Sequence, residues 1–233
     1  MYKHFFKRVL DFSISLVALI CISPILLVVT IWLHFANKGA GAFFTQQRIG
    51  KGEKPFKIIK FKSMTDERGA DGKLLPDAQR LTKVGRFVRA TSLDELPQFI
   101  NVLKGDMSFI GPRPLPTTYQ FFFTDEERRR HEVRPGISGW AQINGRTSIN
   151  WGKKLGYDIE YVNNISFAFD IRIILLTIYK VFRRENVGVE NSGIVSFHEY
   201  RSEEWEKEGK HELAARALAQ REALIKEQKR NDV

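Results

Sequence analysis

Between Phe12 and Phe35 the chain is almost wholly apolar, interrupted only by Ser13, Ser15, Ser23-Pro24, Thr30 and His34. No other stretch limits the possible folds so tightly. As one helix it would cover about 36 Å, enough to cross a bilayer. A cleaved leader is a poor fit, because the run is long and no small-residue cleavage site follows. Two features set it apart from an ordinary spanning helix. Pro24 has no amide to give the Ile20 carbonyl, and the neighbouring Ser23 hydroxyl can satisfy that group instead. Both flanks are also basic, with Lys3, Lys7 and Arg8 before and Lys38, Arg48 and Lys51 after. The positive-inside preference asks each flank to stay on the cytoplasmic face. A kinked spanning helix satisfies the proline alone. A re-entrant helix over residues 1–36, with arms about 16–18 Å deep, satisfies the proline and the charges.

The formal charge of +10 points to anionic partners: nucleic acid, anionic lipid or phosphorylated substrates. The basic residues are scattered and no nucleic-acid-reading motif occurs, so no nucleic acid is expected. The single cysteine, Cys21, excludes an internal disulfide and a cysteine-based zinc site. Its apolar setting predicts a buried, inert thiol. Residues 37–190 form one catalytic domain in this reading, and residues 191–233 a charged extension.

The chemistry gathers at Thr91-Ser92-Leu93-Asp94-Glu95-Leu96-Pro97-Gln98. Leu96, Phe99, Ile100 and Leu103 follow helical spacing, and Gly105 is placed to end that helix. Ser92 and Glu95 have capping-box spacing, but a helix capped at Ser92 would put Pro97 at its fifth position and damage the ladder. A start at Leu93 or Asp94 brings Pro97 into the tolerated first turn and leaves Glu95 without a capping duty. Two adjacent carboxylates then sit at a positive helix end, between Arg80, Lys83, Arg86 and Arg89 upstream and Gly111-Pro112-Arg113-Pro114 downstream.

Elsewhere, Phe43–Ile49 and Pro55–Phe61 read as strands of a hairpin around Gly50-Lys51-Gly52. Asp66–Asp77 reads as a polar loop and Arg80–Ala90 as a helix. Tyr119–Phe123, followed by the charged run Asp125–Arg130, fits either an interfacial helix or a core aromatic cluster. His131 and Trp140 read as structural. Pro135–Arg146 reads as a loop whose glycines let backbone approach a ligand. Ile171, Ile174, Leu175, Ile178 and Phe182 share one helical face, which fits the membrane surface or the core. Asp170 has the position of an N-cap for that helix. Glu203–Arg230, with few large apolar residues, reads as a solvated helix or tail.

Lys60-Phe61-Lys62-Ser63-Met64, Ser92–Gln98, Gly105–Pro114 and Arg134–Arg146 occur in that order. Together they resemble the small monotopic phosphoglycosyl transferases of the bacterial sugar transferase family (polyprenyl-phosphate sugar-1-phosphate transferases). The likeness runs from the N-terminus to about Phe182. It implies an α/β-type, mostly helical, membrane-associated fold: a re-entrant helix and amphipathic interfacial helices around one small catalytic domain. It also implies a location at the bacterial inner membrane, with that domain facing the cytoplasm. The implied reaction moves a sugar 1-phosphate from a UDP-sugar to polyprenyl (undecaprenyl) phosphate and releases UMP. By the same resemblance, Asp94 is a nucleophile forming an aspartyl phosphosugar and Glu95 holds Mg²⁺. Arg113 and Arg146 bind phosphate oxygens, Lys60 and Arg89 add positive field, and Asp170 matches an acidic position near the site. Direct attack by the lipid phosphate is a second enzymatic reading. A membrane-anchored adaptor binding anionic lipid or nucleotide is the non-enzymatic one. The sequence does not name the sugar.

Overall fold

In the computed structural model, which describes residues 1–145, 149–183 and 195–231, the apolar stretch is one long helix, α1 (Lys7–Ala36), led in by a π-helical turn over Tyr2–Phe6. Pro24 lies inside it, and Ser23 Oγ donates to the Ile20 carbonyl at 2.8 Å. That is the acceptor proline leaves without its amide. Val17, Ile20, Leu27, Val28, Ile31 and Phe35 point outward, uncovered by protein. The helix is long and apolar enough to cross a membrane. Cys21 is exposed, not buried as expected. Its apolar neighbours form the outer surface of the helix rather than a core.

Both ends of α1 rest on the rest of the chain. Near the start, Arg8 donates to the Val102 and Leu103 carbonyls at 2.7 and 2.8 Å, and Asp11 Oδ1 accepts from the Phe109 amide at 3.2 Å. Near the end, Val29 and Leu33 pack with Ala42, Phe61 and Val88. Strands β1 (Phe43–Ile49) and β2 (Pro55–Phe61) form the expected antiparallel hairpin, in register from Phe43 opposite Phe61 to Ile49 opposite Pro55. The polar segment after them contains a tight turn in which Arg68 pairs with Leu74, then α2 (Asp77–Arg80). The helix expected from Arg80 starts later, as α3 (Lys83–Ala90), because Thr82 Oγ1 caps it by accepting from the Gly85 amide.

Next come α4 (Gln98–Lys104), β3 (Ser108–Ile110) and the 3₁₀ helix Thr117–Phe122. Then follow α5 (Asp125–Arg128), β4 (Gly136–Ser138) and α6 (Trp140–Gly145). β3 and β4 pair in parallel. The expected loop from Pro135 is therefore a strand and a helix, and its glycines serve a different approach. A Cβ at Gly136 would lie 2.1 Å from the Gly111 amide nitrogen, and one at Gly139 2.1 Å from the Gly111 carbonyl oxygen. Protein backbone, not a ligand, occupies that space.

The chain continues through α7 (Trp151–Asn163), α8 (Phe167–Phe182), α9 (Phe197–Lys207) and α10 (His211–Asn231). Ile173 is the core residue of α8, while Phe167, Ile171, Leu175 and Ile178 face outward. Phe122 and Phe123 are buried with Ile49, Leu115, Leu155, Phe197 and Trp205. This decides the aromatic segment in favour of a core cluster. The extension is helical, as one of its two readings had it, and α10 is largely exposed, but both helices also dock on this core. α9 buries Phe197 and Trp205, Arg201 pairs with Glu127, and α10 lays Ala214 and Ala217 on the same cluster. Gln228 Nε2 donates to Thr117 Oγ1 at 2.9 Å. Small residues at helical spacing let α10 come close without large apolar side chains, and a composition-based reading overlooks that kind of face.

Candidate active site

The dyad is set by a backbone irregularity rather than by a helix cap. Ser92 is left-handed, at φ 56° and ψ 18°, and its side chain caps nothing. Non-glycine residues in this region are uncommon and carry strain. The chain then makes a 3₁₀ turn over Leu93–Glu95, and Pro97 stands at the N-cap of α4. The α-helix thus begins one turn later than the start expected at Leu93 or Asp94. Proline's fixed φ suits this junction, where its missing amide disrupts no ladder. Gly105, at φ 93°, ends α4 as expected.

Asp94 and Glu95 are both partly buried. Lys60 Nζ lies 2.8 Å from Glu95 Oε1, and an Arg113 guanidinium nitrogen lies 3.6 Å from the same oxygen. Asn101 holds this arrangement together. Its Oδ1 accepts from the Ile59 amide and its Nδ2 donates to the Lys57 carbonyl, tying α4 to the strand that carries Lys60. Arg89 Nε donates to Ser63 Oγ at 2.7 Å, just beyond that strand. The turn thus brings Lys60, Glu95 and Arg113 together.

Arg113 has its own support. Its carbonyl accepts from Arg130 at 2.7 Å, and Arg130 is paired with Asp158 at 2.8 and 3.0 Å in a buried contact. On α7, one turn before Asp158, stands Lys154. Its ammonium is 4.8 Å from the centre of the Trp151 ring. Burial, and then the charge of Arg113, hold Lys154 below the ordinary lysine range.

Asp170 is elsewhere engaged. Tyr2 and Lys7 each donate to its Oδ2 at 2.6 Å, and the Tyr161 hydroxyl lies 2.8 Å from its Oδ1. Nor is it the N-cap of α8: Ser166 holds that position, accepting from the Phe169 amide. The carboxylate sits one turn inside the helix, where it latches the start of α1. Arg146 lies outside the described residues. His131 is buried against Phe123, in keeping with a structural role.

Residues 2–184 match the protein family described as bacterial sugar transferase. The chain belongs to the bacterial sugar transferase family. A sugar transferase of Bacillus subtilis, EpsL, described as uncharacterized, is 50% identical over 185 residues, covering 79% of this chain and 91% of the relative. The UDP-glucose:undecaprenyl-phosphate glucose-1-phosphate transferase of Klebsiella pneumoniae is 43% identical over 193 residues, covering 76% of this chain and 40% of that protein. The UDP-N-acetylgalactosamine-undecaprenyl-phosphate N-acetylgalactosaminephosphotransferase of Aeromonas hydrophila is 39% identical over 187 residues, with 75% and 43% covered. The chain therefore spans about two fifths of the length of the latter two.

In this sugar transferase, sequence reasoning missed Arg130, Asp158, Asn101 and Lys154. Asp158 left a trace: a carboxylate on the same α7 face as Leu155, Tyr161 and Val162. Arg130 left none, since Arg128 and Arg129 beside it look the same in sequence. Among the described residues no three acidic, histidine or cysteine side chains gather to form a complete metal cage. What the turn offers is a pair of adjacent hard-oxygen donors. That suits Mg²⁺, which takes one or two carboxylates and completes its shell with phosphate oxygens and water.

Proposed function

We propose that this protein transfers a sugar 1-phosphate from a UDP-sugar to a polyprenyl phosphate, through a covalent intermediate on Asp94. The observation that carries the reading is the Asp94-Glu95 turn, with Lys60 and Arg113 converging on Glu95 from separate elements, inside a chain of this family. The names of the relatives support the donor and acceptor classes. They include both glucose and N-acetylgalactosamine donors, so the family alone leaves the sugar open.

In this mechanism the Asp94 carboxylate attacks the phosphorus that carries the sugar. The bond to the nucleotide's phosphate breaks and UMP leaves. The polyprenyl phosphate oxygen then attacks the aspartyl phosphosugar, freeing Asp94 and forming the lipid diphosphate sugar. Arg113 and Arg146 orient phosphate oxygens, and Lys60 and Arg89 offset the charge of an anion attacking an anion. Glu95 would hold Mg²⁺, which when bound supplies charge neutralisation at the diphosphate.

The site works at the membrane surface, with α1 re-entering the cytoplasmic face of the inner membrane and Asp94 on that face. Support comes from the contacts of α1. Arg8 and Leu33 both rest on the same domain, although they are separated by about 37 Å of helix. A helix straight across a hydrocarbon core of about 30 Å would carry one of them away from a domain on one side. The outward apolar residues of α1 and α8 supply the matching lipid-facing surface.

The test is a panel of UDP-sugars with undecaprenyl phosphate and Mg²⁺. One sugar should release UMP only when protein and Mg²⁺ are present. UMP release from none of them would leave the adaptor reading standing. For topology, a cysteine at Lys3 in a Cys21→Ser background should resist an impermeant thiol reagent on intact cells; strong labelling would mean a spanning helix.

A further inference from the structure

Lys154 is placed where a lysine is costly. It lies in the first turn of α7, where the helix dipole opposes a cation. It is partly buried, and its neighbour Arg113 is also a cation. Among the described residues no carboxylate pairs with it. The one acid on the same face, Asp158, is committed to Arg130. Among the described residues, the Trp151 ring 4.8 Å away is what favours the charge. A cation–π contact of this sort is a modest gain, and a neutral side chain of similar shape would avoid every one of the costs.

The placement also has a direction. Arg113 Cζ bears nitrogens that approach Glu95, while its backbone is held to α7 through Arg130 and Asp158. Lys154 stands on α7 one turn from Asp158. Lys60 and Arg113 thus meet Glu95 from separate elements, and on the α7 side Lys154 stands close enough to Arg113 for the two charges to act on each other. Asp94, beside Glu95, fixes the position of the phosphorus it would attack. The next phosphate of a diphosphate lies one bridging oxygen farther on.

Taking the proposed donor reaction as given, we propose that Lys154, with Arg113, binds the phosphate that departs with the nucleoside. Lys154 is a substrate-binding residue at that phosphate, and its ammonium offsets the charge that collects there as the bridging P–O bond breaks. The ligand supplies the counter-charge that no carboxylate among the described residues gives Lys154.

The experiment compares wild type, Lys154→Met and Lys154→Arg in detergent, using UMP as the binding probe in an equilibrium titration. UMP affinity should fall about 10–100-fold in Lys154→Met, the loss of a hydrogen bond to a charged group, and recover to within a few-fold in Lys154→Arg. KM for the UDP-sugar should rise in parallel, while KM for polyprenyl phosphate stays within twofold. The unfolding midpoint of Lys154→Met should equal or exceed that of wild type, because methionine keeps the stem on Trp151 and removes an unpaired cation. Wild-type UMP affinity in Lys154→Met, or a loss confined to polyprenyl phosphate, overturns the assignment. A lowered midpoint restored by Lys154→Arg together with unchanged affinity also overturns it and makes the residue structural. If wild type itself binds neither UMP nor any UDP-sugar, the donor reading fails first.

Discussion

Asp170 and Glu95 are both carboxylates met by basic side chains, and the two behave as opposites. Asp170 is 3% exposed and receives donors on both oxygens: Tyr2 and Lys7 on one, Tyr161 on the other. The Glu95 side chain keeps 18% of its surface, and Lys60 and Arg113 both approach its Oε1. Arg113 itself is 40% exposed. The difference lies in what surrounds the charge. A carboxylate buried and saturated by fixed donors is a joint, because any exchange of partners leaves a charge unpaired in low dielectric. A carboxylate that keeps part of its surface, beside a more exposed cation such as Arg113, can trade partners with an incoming phosphate.

The largest expected effect lies at the open site. Asp94→Asn should lower turnover by about four orders of magnitude or more, as removal of a nucleophile does, with the unfolding midpoint unchanged. Sugar label should appear on wild-type protein before lipid is added and be missing from the variant. Near-normal turnover would dissolve the contrast by removing the nucleophile from the open side.

Asp170→Asn should act on the other side of the comparison, costing about 3–5 kcal/mol of stability by stranding Lys7. Denaturant midpoints measure this directly, and residual activity should follow the folded fraction. A fully stable but inactive Asp170→Asn would return this residue to the substrate site. Glu95→Gln is expected to be milder. It should raise the Mg²⁺ concentration for half-maximal activity by about tenfold or more and leave the fold intact. Superimposable Mg²⁺ titrations would remove Glu95 as a ligand.

The smallest effect concerns pH. His131 is buried beside Arg130 and Arg128, and burial followed by those charges holds it at about 3, well below its ordinary 6.5. Glu53, 3.4 Å from Nδ1, pulls the other way, but Arg128 engages both its oxygens at 2.7 and 2.9 Å. Between those two pH values the unfolded chain takes up a proton that the folded chain refuses. Stability present above about pH 6.5 is therefore lost as pH falls through the window. His131→Phe should flatten that loss when urea midpoints are compared at pH 7, 5 and 4. An unchanged slope would show that other groups set the acid limb.

The comparison also marks how far the sequence could be read. Asp94, Glu95, Lys60 and Arg113 were legible because their motifs are short and local, and the hairpin that presents Lys60 follows from alternation and a glycine turn. Asp170 was legible as an acid but not as a joint, since its partners Tyr2 and Lys7 lie more than 160 positions away. The Gly111, Gly136 and Gly139 contacts escaped for the same reason: each glycine makes room for a backbone from a distant segment.

By itself, then, the sequence determined the long apolar helix and its Ser23-Pro24 repair, the β1–β2 hairpin, the end of α4 at Gly105 and the acidic pair. All of these rest on interactions within a few residues, where dihedral preference and side-chain reach settle the outcome. Tertiary structure alone decided that Ser92 turns left-handed and delays α4, and that Phe122 and Phe123 belong to a core closed by α9 and α10. It alone decided that Arg130 and Asp158 stand behind Arg113, and that among the described residues no acid pairs with Lys154. Burial and pairing depend on which distant segments arrive at the same place, and no local pattern of residues carries that information.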